Sequence, residues 1–358
     1  MSASSRPRPL TPSALITAVP AMLGFLPERS VILLAFDTDP RVVAATMRHD
    51  LVLDDDGSPV PGWAAVPAGL AAICAREDMG GVVAVIVDDR YPPGDHRYHE
   101  ICALIDEQFD EIGGLTGGFM VPAFVEGARW VSVWTSRSGP TRGRIGDPHT
   151  SPTAIHHAVH SGRRILARRS EMENMLAPAE HCEGPHGEPA DDVIEGLEDA
   201  ELLRAILVEV AGVGPGRRDR DRATGLHLDC ETTTLLGAAL VRLPVRDAAL
   251  ALAVTGLRHR AEALWRELTR RLTGAQRASA ATMLAHLHYI GGEGGYAGVA
   301  LDCALEADPK WSLAVLLDTA LRNGIRPREL WAMIDDCYEI ARSLGVPIPQ
   351  PMPDLEAG

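Results

Sequence analysis

The sequence predicts an N-terminal mixed-sheet α/β domain followed by an all-helical C-terminal domain with tetratricopeptide-like character. Up to about residue 175, short apolar runs typical of strands alternate with segments of helical periodicity, as in α/β domains. Beyond about residue 226, apolar residues recur at helical spacing alone, between Gly and Pro turns. A chain of 358 residues with 46% hydrophobic content is long enough for two such domains.

The first domain begins with a helix for which Thr11-Pro12 supplies the cap and first turn. Gly81–Val87 is wholly apolar, which is typical of a strand buried on both faces. In the last strand, alternation predicts that Trp130 and Trp134 share one face and pack in the core. In chain order, we expect a helix over 10–25, strands over 30–36 and 41–48, a helix over 63–77, a strand over 81–87, a helix over 96–112, and strands over 119–125 and 130–134.

Composition divides the rest of the chain. Residues 1–11 and the Pro-rich residues 345–358 are predicted to be disordered. The α/β domain is expected over 12–175, an acidic and charged linker with one helix over 176–225, and the helical domain over 226–344.

One segment of the helical domain has the spacing of a known repeat. Its small and large residues fall where the second helix of a tetratricopeptide unit has them, and a proline follows; the positions are Ala297, Leu301, Ala304 and Pro309. Only one such unit is visible, so an ordinary helical hairpin is the alternative.

Charge and lysine usage exclude several function classes. The chain holds a single lysine, Lys310, in a predicted turn, which excludes phosphate-loop and Schiff-base chemistry. A net charge of −15 with 4% aromatic residues makes nucleic acid an unlikely partner. No apolar run approaches the roughly 20 residues that span a bilayer, and no signal peptide is recognised. We therefore expect a cytoplasmic protein without membrane attachment, whose six cysteines are free, buried thiols.

Several stretches resemble an actinobacterial family catalogued as domain of unknown function 4192. The resemblance is carried by residues 15–31 (LITAVPAMLGFLPERSV), Arg48-His49-Asp50-Leu51, Arg129-Trp130-Val131-Ser132, the stretch from Ser151-Pro152 to Gly162-Arg163, and the helical residues 300–317. It extends over about residues 12–335. It implies no activity, cofactor or catalytic residue.

The strongest functional signal is an arginine-rich segment. Residues 129–169 hold eight arginines and one acidic residue, Asp147. The planar guanidinium group binds phosphate or carboxylate in a bidentate manner, so an anion site is predicted here. The alternative is that these arginines form a solvated face or neutralise the acidic residues of 171–203. The candidate anion-binding residues are Arg129, Arg137, Arg142, Arg144, Arg163 and Arg164.

Metal and cofactor signals are incomplete, and we predict neither group. His181, Cys182, His186, His227 and Cys230 offer ligand types that zinc accepts, without the usual paired knuckles. His156 and His160 lie one helical turn apart, but no Glu follows His156 to form a metallohydrolase motif.

Two function classes remain. The first is an interaction or regulatory module whose helical domain binds a protein partner, favoured by the repeat-like spacing and the lack of a complete catalytic motif. The second is an enzyme or binding protein for an anionic small molecule at residues 129–169, with Asp50 or Asp147 as its acid or base. No catalytic residue and no oligomeric state is assigned.

Overall fold

The structure is a computed structural model that describes residues 11–352 except for 38, 40–41, 64, 78, 136–139, 180–195 and 213–227. The chain divides into two compact units, Met1–Arg169 and Ser170–Gly358. A mixed sheet with helices forms the N-terminal unit and helices form the C-terminal unit, which confirms the predicted fold class. Among the described residues, no helix has both the length and the apolar content needed to cross a bilayer.

The N-terminal unit alternates helices with the strands of one sheet. Its elements are α1 (Pro12–Leu23), β1 (Ser30–Phe36), β2 (Val43–Asp50), α2 (Ala65–Arg76), β3 (Gly81–Val87), α3 (His96–Gln108), a 3-10 turn (Asp110–Ile112), β4 (Leu115–Val121), β5 (Arg129–Thr135), β6 (Arg142–Arg144), a second 3-10 turn (Pro148–Thr150) and α4 (Pro152–His160).

The six strands form one sheet in the order β2-β1-β3-β4-β5-β6. Only β3 and β4 pair in parallel, joined by α3, and every other neighbouring pair is antiparallel. In β1, Ser30 lies opposite both Asp50 of β2 and Val87 of β3. The end of β2, the start of β1 and the end of β3 therefore meet at one end of the sheet.

Helices cover both faces of this sheet. On one face, alternate residues of β1 and β3, such as Leu33 and Ala84, pack with Tyr98 and Ile105 of α3 in a continuous buried core. On the other face, Leu34 is fully buried, and its β2 neighbour Thr46 contacts Met22 of α1. Because successive strand residues point to opposite faces and both faces are covered, β1 and β3 are apolar at every position except Ser30, the first residue of β1.

A β-bulge in β5 corrects the prediction for its two tryptophans. Gly118 pairs with Trp134 while Phe119 pairs with Ser132, so Val133 is an extra residue in β5. The bulge disturbs the alternation and places Trp134 against the α3 core. Trp130 remains on the α1 face, where its indole N–H donates to Ser13 Oγ at 2.9 Å. The two rings therefore pack on opposite faces of the sheet.

Strand β4 lies four residues earlier than predicted. It ends at Val121, immediately before Pro122, which has no N–H to continue the ladder. It begins in Leu115-Thr116-Gly117-Gly118, a glycine-containing stretch with weak strand propensity. Tertiary contacts explain that composition, because a Cβ on Gly118 would lie 2.7 Å from the Trp134 Cβ and 2.9 Å from the Cys102 Sγ.

Gly118→Ala is expected to lower the free energy of unfolding by about 1–3 kcal/mol, because the added methyl group overpacks a rigid contact. Gly69→Ala is the matched control, because Gly69 lies within α2 and no atom lies within 4 Å of the position that a Cβ would take. Alanine there should stabilise the helix by up to about 1 kcal/mol. Urea unfolding of both variants measures the two effects. Equal changes in the two variants would contradict the packing argument.

The described elements of the C-terminal unit are helices and one 3-10 turn. Its elements are α5 (Arg169–Asn174), which begins at the unit boundary, α6 (Asp199–Ala211), α7 (Cys230–Val241), α8 (Leu243–Ala249), a 3-10 turn (Leu250–Val254), α9 (Arg258–Arg271), α10 (Gly274–Ile290), α11 (Gly294–Ala307), α12 (Ser312–Arg322), α13 (Pro327–Leu330) and α14 (Ala332–Ser343).

The core of this unit surrounds α10. Every residue of α10 from Ala278 to Ile290 is buried, and the helix packs against α7, α9, α11 and α12. Ala297 and Ala304 of α11 are fully buried, which allows α10 and α11 to approach closely. A tetratricopeptide-like relation between these helices stays a prediction.

Residues 345–352 differ from the predicted disordered tail. Val346 and Ile348 are buried, and the backbone N–H of Met352 donates to the Val254 carbonyl at 2.8 Å. The two apolar residues between the prolines account for the ordering, because they contribute to the helical core. The remaining predicted disorder, at 1–10 and 353–358, lies outside the described residues.

The cysteines follow the prediction at four positions. Cys74, Cys102, Cys303 and Cys337 are free and buried. Cys230 is instead disulfide-bonded, so the expectation of free thiols is wrong there. Cys182 lies outside the described residues.

Candidate anion-binding face and sheet-end cluster

Three of the six candidate arginines lie on one face of the β5–β6 ribbon. Arg129 is directly opposite Arg144, and Arg142 is two residues from Arg144 in the same strand. Residues that are opposite or two apart point to the same face of a sheet. All three side chains are exposed, and we call this set the arginine face.

The packing of Trp130 determines that the arginine face points to solvent. Between these arginines, Trp130 and its partner Gly143 use the other face of the ribbon, and a Cβ on Gly143 would lie 2.7 Å from the Trp130 ring. The indole ring is 1% exposed, so its burial anchors the ribbon and leaves the arginines outside.

The other candidate arginines are not shown to join this face. Arg137 lies outside the described residues. Arg163 and Arg164 follow α4, where Arg163 is half-buried with its backbone N–H on the His157 carbonyl, and Arg164 is exposed. The alternative pairs these arginines with the acidic residues of 171–203, and six of those eleven acidic residues lie outside the described residues, at 180–195.

Within the described residues, no carboxylate pairs with the arginine face. One polar contact is recorded there, from Arg144 Nη1 to the Gly127 carbonyl at 2.7 Å. Cross-strand partners have Cβ atoms about 5 Å apart, and like charges in that position destabilise a sheet. The Arg129–Arg144 pair is therefore a repulsive element that an anion would relieve.

The two acid or base candidates do not complete an active site here. Asp50 ends β2, at the opposite edge of the sheet from β6, which places it roughly 24 Å away at about 4.8 Å per strand. It is engaged there by Arg48. Asp147 caps the following 3-10 turn by accepting the His149 N–H at 3.0 Å.

A second polar group, which was not predicted from the sequence, lies at the end of the sheet where β1, β2 and β3 meet. Asp88 directly follows β3 and is completely buried. Its carboxylate accepts a hydrogen bond from Arg90 Nε at 2.8 Å and one from the Tyr98 hydroxyl at 3.2 Å. Arg90 also donates to the Leu51 carbonyl at 2.9 Å. We call Asp88, Arg90 and Tyr98 the sheet-end cluster.

Neighbouring contacts connect this cluster to residues that carry the family resemblance. Arg48 Nε donates to Ser30 Oγ at 2.9 Å, and the Arg48 guanidinium lies over the Phe25 ring. Ser30 is buried and donates onward to the Glu28 carbonyl at 2.6 Å. Two of the segments that carry the family resemblance, 15–31 and 48–51, therefore meet here. The sequence signal that could have revealed the site is Asp88-Asp89-Arg90, charged residues directly after a fully buried strand.

The polar groups of the sheet-end cluster form hydrogen bonds with one another. Burial and the nearby Asp88 carboxylate raise the pKa of Tyr98, so the phenol stays protonated and acts as a donor. Asp88 therefore accepts a hydrogen bond from each of its two partners, Arg90 and Tyr98. The arrangement holds three chain segments together.

Other reactive or concave features do not suit an anion. Burial raises the pKa of the Cys74 thiol to about 11 and that of Cys102 to about 12, so neither thiol is a nucleophile near neutral pH. A depression of about 610 Å³ beside α3 is flanked by Glu100 and Glu107, whose charges repel anions. Among the described residues, no three His, Cys, Asp or Glu side chains converge in a way that would hold a metal ion.

Comparison with known proteins identifies the family and no activity. Residues 12–328 match the family model described as Domain of unknown function (DUF4192), which covers most of the chain. No curated protein and no solved structure matches the sequence. The resemblance noted from the sequence is confirmed, and the chain belongs to the DUF4192 family.

Proposed function

We propose that the arginine face binds a small molecule bearing two phosphate or carboxylate groups. One observation carries the proposal: Arg129 and Arg144 lie directly opposite each other, exposed, with no described carboxylate paired to either. An uncompensated pair of like charges at this position favours a counter-charge from outside the chain.

The spacing within the face suits a ligand with two anionic groups. Arg129 and Arg144 are cross-strand neighbours with Cβ atoms about 5 Å apart, so two guanidinium groups can share one anionic group. Arg142 is two residues further along β6, about 7 Å away, and reaches a second group. Because arginine is charged at every physiological pH, the face needs no proton uptake to bind.

The position of β6 supports an alternative role for the same charges. β6 has three residues and lies at the edge of the sheet, so its outer side pairs with no strand among the described residues. Charged residues keep such edges from pairing with other chains. That role predicts aggregation on charge removal, whereas anion binding predicts a loss of ligand affinity.

In the first test, inorganic pyrophosphate is titrated into the full chain at low salt, with calorimetry as the readout. We expect binding that weakens as salt rises, and an affinity at least tenfold lower in Arg129→Gln/Arg144→Gln, because each charge-assisted hydrogen bond contributes about 1.5–3 kcal/mol. The matched control removes two other exposed arginines without a described acidic partner, Arg204 and Arg342, in a double glutamine variant. Light scattering follows aggregation in both variants.

Two results would overturn the proposal. One is equal affinity for pyrophosphate in the wild type and the arginine-face variant. The other is no binding to the wild type at low salt, together with aggregation of the variant alone, which would assign the arginines to edge protection.

The interaction role of the helical domain stays a prediction. The described surface that favours it is on α12, where Val315 and Leu316 are adjacent and are 43% and 59% exposed. Two exposed side chains do not define a binding site by themselves, so the arginine face has the stronger geometric support.

A further inference from the structure

The outer face of α4 carries two histidines and two aliphatic residues, and no contact among the described residues of the N-terminal unit explains them. His156 and His160 lie one turn apart with ring centroids at 4.2 Å. Ile155 and Val159 are 53% and 74% exposed along the neighbouring stripe of the same helix. The side of α4 that packs inward is marked by the buried Ala154.

Neither imidazole is engaged elsewhere in the described structure. Apart from ring contacts with each other and with His157, His156 and His160 have no recorded hydrogen bond or ion pair. Their ring nitrogens therefore have no competing partner among the described residues and can serve as metal ligands.

We propose that this face binds a zinc-type divalent ion together with the same face of a second copy of this chain, each copy supplying His156 and His160 as ligands. The proposal is independent of anion binding by the arginine face. Neutral imidazole is a common ligand of such ions, and two histidines at i and i+4 on one helix face are a known chelating pair.

Ligand spacing is compatible with this site. Zn–N bonds of about 2.0–2.1 Å at tetrahedral angles place two ligand nitrogens about 3.3 Å apart. Rings whose centroids are 4.2 Å apart reach that separation by small side-chain rotations. The helix fixes both Cα positions in advance, which lowers the entropic cost of chelation.

The number of ligands that a zinc ion needs is the reason for proposing a second copy of the chain. A closed zinc site takes four protein ligands, while the described residues of one chain bring no more than this pair together at α4. A two-fold axis through the ion supplies the identical pair, because a symmetric dimer uses the same patch on both subunits. The flanking Ile155 and Val159 would then lose their solvent exposure in the contact.

Sedimentation velocity of the full chain with added ZnCl₂ tests the proposal. We expect the monomer to convert to a species of twofold mass at one zinc ion per two chains, and EDTA to reverse the conversion. His156→Gln/His160→Gln should lose the conversion while keeping the circular dichroism spectrum of the wild type, since both positions are exposed. His149→Gln/His259→Gln, which removes two other exposed histidines, should behave as the wild type does.

A second variant tests the apolar contact independently of the metal ligands. Ile155→Ser/Val159→Ser keeps both imidazoles, so zinc should still bind while dimer affinity falls at least tenfold. The proposal is overturned if zinc leaves the wild type monomeric. It is also overturned if the histidine variant dimerises with zinc as the wild type does, which would assign the ion to other ligands among the 13 histidines.

Discussion

Replacing Asp88 by alanine is expected to lower the free energy of unfolding of the N-terminal unit by about 3 kcal/mol, the lower end of the range for breaking a buried ion pair. The carboxylate is completely buried and binds both Arg90 and Tyr98. Without it, the Arg90 guanidinium and the Tyr98 hydroxyl lose their common acceptor. The loss in free energy of unfolding lies at the low end of that range because the Arg90 side chain is 25% exposed and partly reaches water. Urea unfolding monitored by hydrogen exchange of the β3 amides measures the change.

The next residue in the chain provides the control. Asp89 pairs with Arg29, but both side chains are about 60% exposed, so Asp89→Ala should cost less than about 1 kcal/mol. In a double-mutant cycle, Asp88→Ala/Arg90→Ala should be less destabilised than the two single variants added together, because neither charge is then left without its partner. Additive effects, or similar losses for Asp88→Ala and Asp89→Ala, would contradict the assignment of a buried network.

Replacing His286 by leucine is expected to stabilise the helical unit by about 1–3 kcal/mol at pH 7, the cost of burying a polar group without hydrogen bonds. His286 is 1% exposed within α10, and neither ring nitrogen has a partner among the described residues. Leucine is of similar size and carries no polar atom, so it should fit with little repacking. Hydrogen exchange of the α10 amides reports the free energy of opening at each pH.

The same residue predicts how stability depends on pH. Burial, and secondarily the charge of Arg258, lowers the pKa of His286 to about 4 from its ordinary 6.5. Between these values the unfolded chain binds a proton that the folded chain does not. Stability therefore falls as the pH drops from about 6.5 to about 4, by up to about 3 kcal/mol in total.

The leucine variant should lack this component of the pH dependence. His259→Leu, at an exposed position of α9, is the control and should retain the contribution of His286 to the slope. An unchanged slope in His286→Leu, or a less stable protein at pH 7, would show that His286 has hydrogen-bond partners.

The sequence predicted those strands whose burial is uniform. Ser30–Phe36 and Gly81–Val87 were placed at their observed bounds because both are buried on two faces and, apart from Ser30 at the start of the first, are apolar. The three arginines of the arginine face were also found from sequence, because their density in an acidic chain is visible without a structure. Their sharing of one face required the register of β5 with β6, and β6, only three residues long, has no sequence pattern of its own.

Non-local contacts account for the features that the sequence could not predict. The bulge at Val133 turned Trp134 to the α3 side of the sheet, which strict alternation cannot anticipate. Residues 345–352 were predicted to be disordered from their prolines, yet Val346 and Ile348 pack into the helical unit. Each outcome depends on a partner segment far along the chain.

The two-part architecture and the excess of arginine in residues 129–169 follow from the sequence alone, since composition and periodicity are local properties of the chain. The family follows from the segments that resemble it. Tertiary structure decided which charged residues meet. It buried Asp88 against Arg90 and Tyr98, left Arg129 and Arg144 facing each other, and separated Asp50 from them by the width of the sheet. The physical reason is that charge–charge energies depend on distance and burial, which only strand order and register establish.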